Sequence, residues 1–177
     1  MRDDVGHRIR ELIREVADFP TLGIVFKDIT PVLANPALTH DAIAAMAAPH
    51  VEQGITHVVG IESRGFLFGV PIAMQLGAAF VPARKPGKLP WHTISESYAL
   101  EYRASESLEL HDDALHSGAR VLIVDDVLAT GGTAAAAMRL CERLGGVVAA
   151  ISVLIELSFL NGRTRLGAVP VTSVVVY

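Results

Sequence analysis

The chain has 177 residues, a length that favours a single domain, predicted here over residues 1–177. Hydrophobic residues make up 51% and charged residues 19%, so the composition supports a packed core and excludes an intrinsically disordered chain. The 15 Lys and Arg against 19 Asp and Glu give a net charge of -4, which removes the usual electrostatic basis for tight binding of nucleic acid.

The sequence has no recognisable signal for export or membrane insertion. Charged residues interrupt the N-terminal segment, and no apolar run approaches the roughly 18 residues of a membrane span, so neither a signal peptide nor a membrane helix is expected. The one cysteine, Cys141, cannot form an internal disulfide and is expected to be an inert packed side chain. These features favour a cytoplasmic protein.

The N-terminal third is predicted to contain two helices joined by a loop. Apolar residues at helical spacing predict a first helix that ends before Phe19-Pro20; they are Val5, Ile9, Leu12, Ile13 and Val16. A loop is expected over 20–28. A second helix is predicted to begin after Asn35, a capping residue followed by proline, and to bend or end at Pro49.

The rest of the chain alternates apolar strands with helices. Strands are predicted over 57–61, 79–82, 120–124, 147–157 and 171–176, with helices over 66–76 and 134–144. Buried strands separated by helices are typical of an α/β fold with a mainly parallel central sheet that is flanked by helices on both faces.

Residues from about 85 to 110 do not follow that alternation. The segment contains prolines, hydroxyls and mixed charges, and a connection of this length is usually either a functional lid or disordered. Alternation over 98–102 and over 106–110 predicts the two arms of a β-ribbon. We therefore expect a flexible hood over a site.

An acid pair and a loop of small residues follow the clearest strand of the chain. Asp125 and Asp126 come directly after 120–124 and suit the hydroxyls of a sugar. The small residues behind them are Ala129, Thr130, Gly131, Gly132 and Thr133. Their backbone amides, at the start of a helix, favour a phosphate, so the pattern predicts a ribose 5-phosphate site. The alternative is a turn and helix cap in which Asp125 only caps amides. The spacing matches neither a Walker loop nor a dinucleotide fingerprint.

Residues 121–135 resemble the phosphoribosyl-pyrophosphate (PRPP) motif of the type I phosphoribosyltransferases. The segments 19–31, 60–69, 87–90 and 98–102 extend the resemblance, in order and spacing, to the members that act on adenine, and it covers nearly the whole chain. It implies the type I phosphoribosyltransferase fold.

The reaction that the resemblance implies is transfer of the phosphoribosyl group from PRPP to adenine, which gives AMP and pyrophosphate and requires Mg²⁺. It places the 5-phosphate on the loop 129–133 and the ribose hydroxyls on Asp125 and Asp126, where carboxylates would stabilise positive charge on the ribose ring. No metal ligands of the protein are expected, because PRPP and water would hold most of the Mg²⁺ coordination shell. Members of the family are usually homodimers.

A pyrophosphate site is implied by two further segments. Glu62, Ser63 and Arg64 match the pyrophosphate loop of the family, in which we predict a cis peptide bond between Glu62 and Arg64. Cations at the base of the hood would grip pyrophosphate; they are Arg84, Lys85 and Lys88. Arg84 would reach the neighbouring subunit of a dimer. Pro86 stands where some relatives carry a third cation. The alternative is a plain turn and a solvated basic loop.

The base site is also assigned by resemblance. Val25, Phe26, Lys27 and Leu157 match the positions that hold the base, with Phe26 stacking and the backbone at Val25 and Lys27 reading the amino edge. Lys27 replaces an arginine of some relatives, and core packing is the alternative for Phe26. Glu101 of the hood would take the proton that adenine loses, beside Tyr102 as a substrate-binding residue.

Two other functions stay open from the sequence alone. One is the same transfer to another base, such as hypoxanthine, guanine, xanthine or orotate. The other is a regulatory relative that keeps the fold to sense PRPP.

Overall fold

A five-stranded parallel sheet forms the centre of the molecule, in a computed structural model that describes residues 2–100 and 103–177. In chain order the helices and strands are α1 (Arg2–Leu12), β1 (Arg14–Ala17), β2 (Val25–Asp28), α2 (Thr30–Leu33), α3 (Pro36–Ala47), β3 (His57–Ile61), α4 (Gly65–Leu76), β4 (Ala79–Ala83), β5 (Thr93–Leu100), β6 (Arg103–His111), β7 (Arg120–Leu128), α5 (Gly132–Arg143), β8 (Val147–Glu156) and β9 (Val171–Val176). Short 3₁₀ turns cover Ala48–His50, Ser158–Leu160 and Gly162–Arg165.

The central sheet has the order β4-β3-β7-β8-β9, and every neighbouring pair is parallel. The carboxyl ends of β3 and β7 therefore lie side by side at one edge of the sheet, where α/β folds bind ligands. Pro82 lies in β4, an edge strand, where its missing N–H leaves no internal ladder position unpaired. The predicted strands are confirmed, with β7 four residues longer than expected at its carboxyl end.

Helices cover both faces of this sheet, as predicted. On one face α1, α3 and α4 pack against the strands through side chains such as Ile9, Met46 and Phe68. On the other face α5 packs through Leu140, and the β5–β6 ribbon adds Leu108 and Leu110. The ribbon thus forms part of the core.

The N-terminal segment differs from the prediction. Helix α1 ends at Leu12, and Val16 lies in β1, which pairs antiparallel with β2 from Arg14 opposite Asp28 to Ala17 opposite Val25. The predicted helix through Val16 and the predicted loop over the whole of 20–28 are therefore wrong. Backbone pairing with β2 determines the structure of residues 14–17, and an ion pair between Lys27 and Glu15 joins the two strands.

The predicted ribbon is present and longer than expected. Strands β5 and β6 pair antiparallel with Tyr98 opposite Glu106, and Glu96 Oε1 accepts a hydrogen bond of 2.6 Å from Arg139 Nε of α5. The backbone of Arg84 bridges to that of Glu109 at the base of the ribbon. Glu101 and Tyr102 lie outside the described residues.

Several local predictions are confirmed. Asn35 caps α3 by accepting a hydrogen bond from Leu38 N, and α4 ends at Gly77, which has φ of +62°. Cys141 is buried, and burial raises the pKa of its thiol to about 12, so it is an unreactive core side chain. Within residues 2–100 and 103–177, no helix is long and apolar enough to cross a membrane.

Candidate active site

A cavity of about 240 Å³ opens at the carboxyl edge of β3 and β7. It brings together many residues that the sequence predicted, which are Glu62, Ser63, Arg64, Lys85, Asp125, Asp126 and the loop 129–133. Two residues of the ribbon, Tyr98 and Glu106, complete one wall. The β-ribbon therefore contributes side chains to the cavity.

The acid pair lies inside the last part of β7 rather than after its end. Asp125 and Val127 stay in register with β8, opposite Val153 and Ile155, so hydrogen bonds to β8 fix the backbone on both sides of Asp126. Asp125 Oδ1 accepts a hydrogen bond of 2.9 Å from Asp126 N. The two carboxylates are consequently held by a rigid element of the core.

One cation accompanies this acid pair. Arg64 Nε lies 2.9 Å from Asp126 Oδ2, but this oxygen has no hydrogen bond among the described residues, so the contact is an ion pair without hydrogen-bond alignment. Burial raises the pKa of Asp125 well above its usual value, and the negative charge of Asp126 raises it further. Burial also raises the pKa of Asp126, an effect that the charge of Arg64 partly offsets.

The loop of small residues follows β7 and leads into α5. Gly131 adopts φ of +81°, a left-handed conformation that glycine tolerates, and Gly131 O accepts a hydrogen bond of 2.9 Å from Ala135 N in the first turn of α5. The first N–H groups of a helix have no partner within it and carry partial positive charge. The loop therefore lines the cavity at the start of α5, and its binding of a phosphate stays a prediction.

The pyrophosphate loop has the predicted cis peptide bond, between Glu62 and Ser63. The carboxylate of Glu62 faces residues 84–88, called the basic segment here. It accepts hydrogen bonds of 2.8 Å from Lys88 Nζ, 2.8 Å from Lys85 N and 3.3 Å from Arg84 Nε. Burial would raise the pKa of Glu62, but these hydrogen bonds outweigh it and lower the pKa to about 2. Glu62 thus gathers the cations that the sequence assigned to pyrophosphate.

Arg84 and Lys88 do not themselves line the cavity, whereas Lys85 does. Lys85 Nζ lies 3.5 Å from Glu106 Oε2, and the same oxygen accepts a hydrogen bond of 3.0 Å from the Tyr98 hydroxyl. Burial raises the pKa of Tyr98 to about 12, with a further contribution from Glu106, while the Thr133 hydroxyl acts in the opposite direction.

Tyr98 and Glu106 are the functional candidates that the sequence reasoning missed. Glu106 has the same strand parity as Leu108 and Leu110, both buried, so an acid on the apolar face of the ribbon was a readable signal. Through Thr133 and Lys85, the pair connects the anion-binding loop to the basic segment.

The residues predicted for the base lie beside the cavity rather than in its lining. Phe26 makes an edge contact with Phe19, at 5.2 Å between ring centroids, and the guanidinium of Arg64 lies 4.9 Å from the Phe26 centroid. Leu157 N donates a hydrogen bond of 2.9 Å to the carbonyl of Leu128, which is a cavity residue.

Two further residues complete the base side. Val25 is about half exposed, and the Lys27 side chain is engaged with Glu15 and with the Tyr177 ring, 4.1 Å from its centroid. The side chain of Lys27 is thus occupied by these two contacts, which do not involve its backbone. The loop between β1 and β2 also carries exposed apolar residues, among them Leu22.

The acid pair fits a hydrated Mg²⁺ better than a metal bound directly by several side chains. Among the described residues, no group of three or more His, Cys, Asp or Glu side chains could hold a metal ion. Asp126 is buried and Asp125 is half-buried, and Asp126 Oδ2 accepts no hydrogen bond from the described residues. Such oxygens suit hydrogen bonds from metal-bound water, because Mg²⁺ keeps several of its waters in protein sites.

The fold and the cavity define a class of protein, and comparison with known families agrees with it. Residues 29–166 match the family described as "Phosphoribosyl transferase domain", so the chain belongs to this family. An adenine phosphoribosyltransferase of Myxococcus xanthus is 56% identical over 165 residues, which cover 93% of this chain and 89% of that protein.

Solved structures show the same similarity. The adenine phosphoribosyltransferase of Rhodothermus marinus superposes with a TM-score of 0.94 at 54% identity, covering 99% of both chains. The enzyme of Saccharomyces cerevisiae, in complex with an imino-altritol bisphosphate and adenine, gives 0.90 at 38% identity and covers 97% of this chain and 99% of its own.

Proposed function

We propose that this chain transfers the 5-phosphoribosyl group from PRPP to adenine and releases AMP and pyrophosphate, as a single domain with the β5–β6 ribbon as its hood. The observation that carries the proposal is the acid pair of β7, which lies in one cavity with the loop 129–133 and with the cations Arg64 and Lys85. The name and bound adenine of the Saccharomyces cerevisiae structure support adenine as the base.

The 5-phosphate binds the loop 129–133. Its amides and the start of α5 attract an anion, and the Thr130 and Thr133 hydroxyls can donate further hydrogen bonds. The ribose then lies over Asp125 and Asp126, which accept hydrogen bonds from its vicinal hydroxyls.

Departure of pyrophosphate leaves positive charge on the ribose ring. The acid pair has two carboxylates for one guanidinium, so it stabilises that charge more strongly in the transition state than in the ground state. Mg²⁺ would neutralise pyrophosphate oxygens, while Asp125 and Asp126 would accept hydrogen bonds from its waters.

Pyrophosphate binds the other side of the cavity. The Ser63 backbone, Arg64 and Lys85 face it, and Glu62 holds the Lys88 ammonium next to them. Arginine and lysine are the side chains best suited to phosphate oxygens.

Adenine enters between Phe26 and Leu157, where the backbone at Val25 and Lys27 reads its amino edge. A nitrogen of adenine attacks C1 of the ribose as the bond from C1 to pyrophosphate breaks, and the proton lost from the base passes to the carboxylate of Glu101, beside Tyr102.

We also propose that the chain acts as a homodimer, in which Arg84 reaches the neighbouring site. Helix α4 supports a second copy as the partner, because Leu67, Val70 and Met74 are exposed at spacings that place them on one helix face. Activity should fall when dilution separates the subunits, as followed by sedimentation and AMP formation; a fully active monomer would contradict the dimer.

Cys141, a free thiol, fits a cytoplasmic location.

One assay tests the function. The chain is incubated with PRPP, Mg²⁺ and each of adenine, hypoxanthine, guanine, xanthine and orotate, and the mononucleotide product is separated and quantified. AMP from adenine alone is expected. A mononucleotide from another base would reassign the substrate, and PRPP binding with no product from any base would favour a PRPP-sensing protein.

A further inference from the structure

A turn that follows β8 lies directly behind the anion-binding loop. The turn Gly162–Arg165 is a single 3₁₀ turn that begins after Asn161, and Gly162 is its buried residue. None of its residues lines the cavity, and they are distant in sequence from the loop 129–133.

The backbones of the turn and the loop are in contact at two glycines. A Cβ atom on Gly162 would lie closer than 3.0 Å to the carbonyl oxygen of Ala129 and 3.1 Å from Gly131 N. A Cβ atom on Gly131 would overlap the carbonyl oxygen of Gly162 in turn. These neighbours are backbone atoms, which cannot rotate away as a flexible side chain would. Any side chain at position 162 must therefore displace the loop or the turn.

The residue after Gly162 anchors the turn to the sheet. Arg163 forms a bidentate pair with Glu156 at the end of β8, with Nε to Oε1 and the second contact to Oε2 both at 2.6 Å. Ser173 of β9 donates a third hydrogen bond to Glu156 Oε2, and Arg163 also donates to the carbonyl of Val171. Because Glu156 is buried and Arg163 is held by a planar fork, the turn has little freedom to retreat.

We propose that Gly162 is a positioning residue for the 5-phosphate of PRPP. Its missing side chain lets the turn support the loop 129–133 from behind, and the Arg163–Glu156 pair holds the turn in place. This role rests on the proposed function, since it assigns the 5-phosphate to that loop.

The test compares Gly162→Ala with Gly167→Ala. Gly167 lies just after the same turn and has φ of +61°, but no atom lies within 4 Å of a Cβ built there, so its substitution disturbs the local backbone without touching the loop. Ribose 5-phosphate and pyrophosphate are titrated separately into each protein by calorimetry, and the KM for PRPP is measured beside thermal unfolding.

We expect Gly162→Ala to weaken ribose 5-phosphate binding and to raise the KM for PRPP by about tenfold or more, which is the loss of one charged hydrogen bond. Pyrophosphate affinity should stay within about twofold, because none of the atoms that a Cβ at position 162 would meet belongs to the residues assigned to pyrophosphate. Gly167→Ala should bind both ligands as the unaltered chain does. A general loss of structure would weaken both ligands together.

Arg163→Lys is the second variant, and it tests whether the turn supports the loop 129–133 if Gly162→Ala does not fold. It keeps the charge but removes the bidentate fork, so we expect a smaller weakening of ribose 5-phosphate binding in the same direction. Ribose 5-phosphate affinity that stays unchanged in the folded variants, in a chain that makes AMP, would overturn the role of Gly162. Failure of the unaltered chain to make AMP would instead contradict the proposed function.

Discussion

Glu62 and the acid pair Asp125–Asp126 line the same cavity, but the net charge around them has opposite sign. Glu62 receives hydrogen bonds from two cationic side chains and one backbone amide, so its centre carries an excess of positive charge. Asp125 and Asp126 share one guanidinium, that of Arg64, so their centre carries an excess of negative charge. The cavity is therefore polarised from one wall to the other.

This difference indicates how each wall can act on a ligand. The positive wall suits pyrophosphate, and the negative wall suits a ribose that becomes cationic. The charge of Glu62 is satisfied within the chain, so its role is to arrange Arg84 and Lys88. The charge of the acid pair is not satisfied, and it is available to a substrate.

The two centres also affect stability with opposite signs. The pKa of Glu62 is lowered from 4.5 to about 2, so Glu62 stabilises the folded chain above pH 4.5 and this contribution is lost as the pH falls through about 2. The pKa of each aspartate is raised above 3.8, so the pair favours folding below that pH and loses this contribution as the pH rises. At neutral pH the acid pair costs stability.

The largest effect is expected from Asp125→Asn. The amide keeps the side-chain oxygen that accepts from Asp126 N but removes one charge of the acid pair, so turnover should fall by about a hundredfold or more while the thermal midpoint rises by a few degrees. Steady-state assays of AMP formation and calorimetric unfolding measure the two changes. Asp113→Asn, at an exposed position, is the matched control and should leave both unchanged. A variant that is inactive and also less stable would contradict the assignment of uncompensated charge to this pair.

Glu101→Gln tests the carboxylate that the proposed mechanism assigns to proton transfer. Loss of a general base typically costs about a hundredfold or more in turnover, and PRPP binding should change far less. The measurement is kcat beside the dissociation constant of PRPP, with the exposed Glu142→Gln as control. Equal turnover in Glu101→Gln would remove the proton-accepting role and leave the acid pair as the only catalytic carboxylates proposed.

A smaller effect is expected from Glu62→Gln, and it should depend on pH. At pH 7 the variant should lose about 2 kcal/mol of unfolding free energy, less than the full linkage value because Lys88 and Arg84 remain partly in water. The difference from the unaltered chain should shrink below pH 4.5 and vanish near pH 2. Urea unfolding across this range measures it. A difference that persisted unchanged at low pH would show that packing, rather than the carboxylate charge, is responsible.

The two walls were not equally predictable from the sequence. Asp125, Asp126 and the loop 129–133 are contiguous, so a buried strand followed by small residues indicated both their location and their chemistry. Glu62 was assigned to pyrophosphate by resemblance alone, because residues at 84–88 determine its environment and no local pattern encodes that contact.

The same distinction explains the predictions that were wrong. Ile13 and Val16 fit helical spacing, but Val16 pairs with Phe26 of a strand ten residues away, and periodicity over so short a segment cannot distinguish the two structures. Tyr98 and Glu106 were missed because the ribbon was predicted without its register, and their contact depends on the register that places them opposite each other. Chemistry carried by contiguous residues was readable from the sequence, whereas contacts across paired strands required their register in the fold.

The smallest effect is expected from Tyr98→Phe, which probes the contact between the two walls. The Tyr98 hydroxyl donates to Glu106, and Glu106 lies beside Lys85, so the substitution removes this hydrogen bond and the contact with the Thr133 hydroxyl but leaves the ion pair. We expect a loss of about 1 kcal/mol in unfolding free energy and a modest rise in the KM for PRPP. Ser97→Ala is the control, because it removes an exposed hydrogen bond to Ser107 across the same ribbon, outside the cavity. A loss of turnover as large as that of Asp125→Asn would mean that Tyr98 takes part in the reaction. The β5–β6 ribbon would then contribute to catalysis beside the two charged centres.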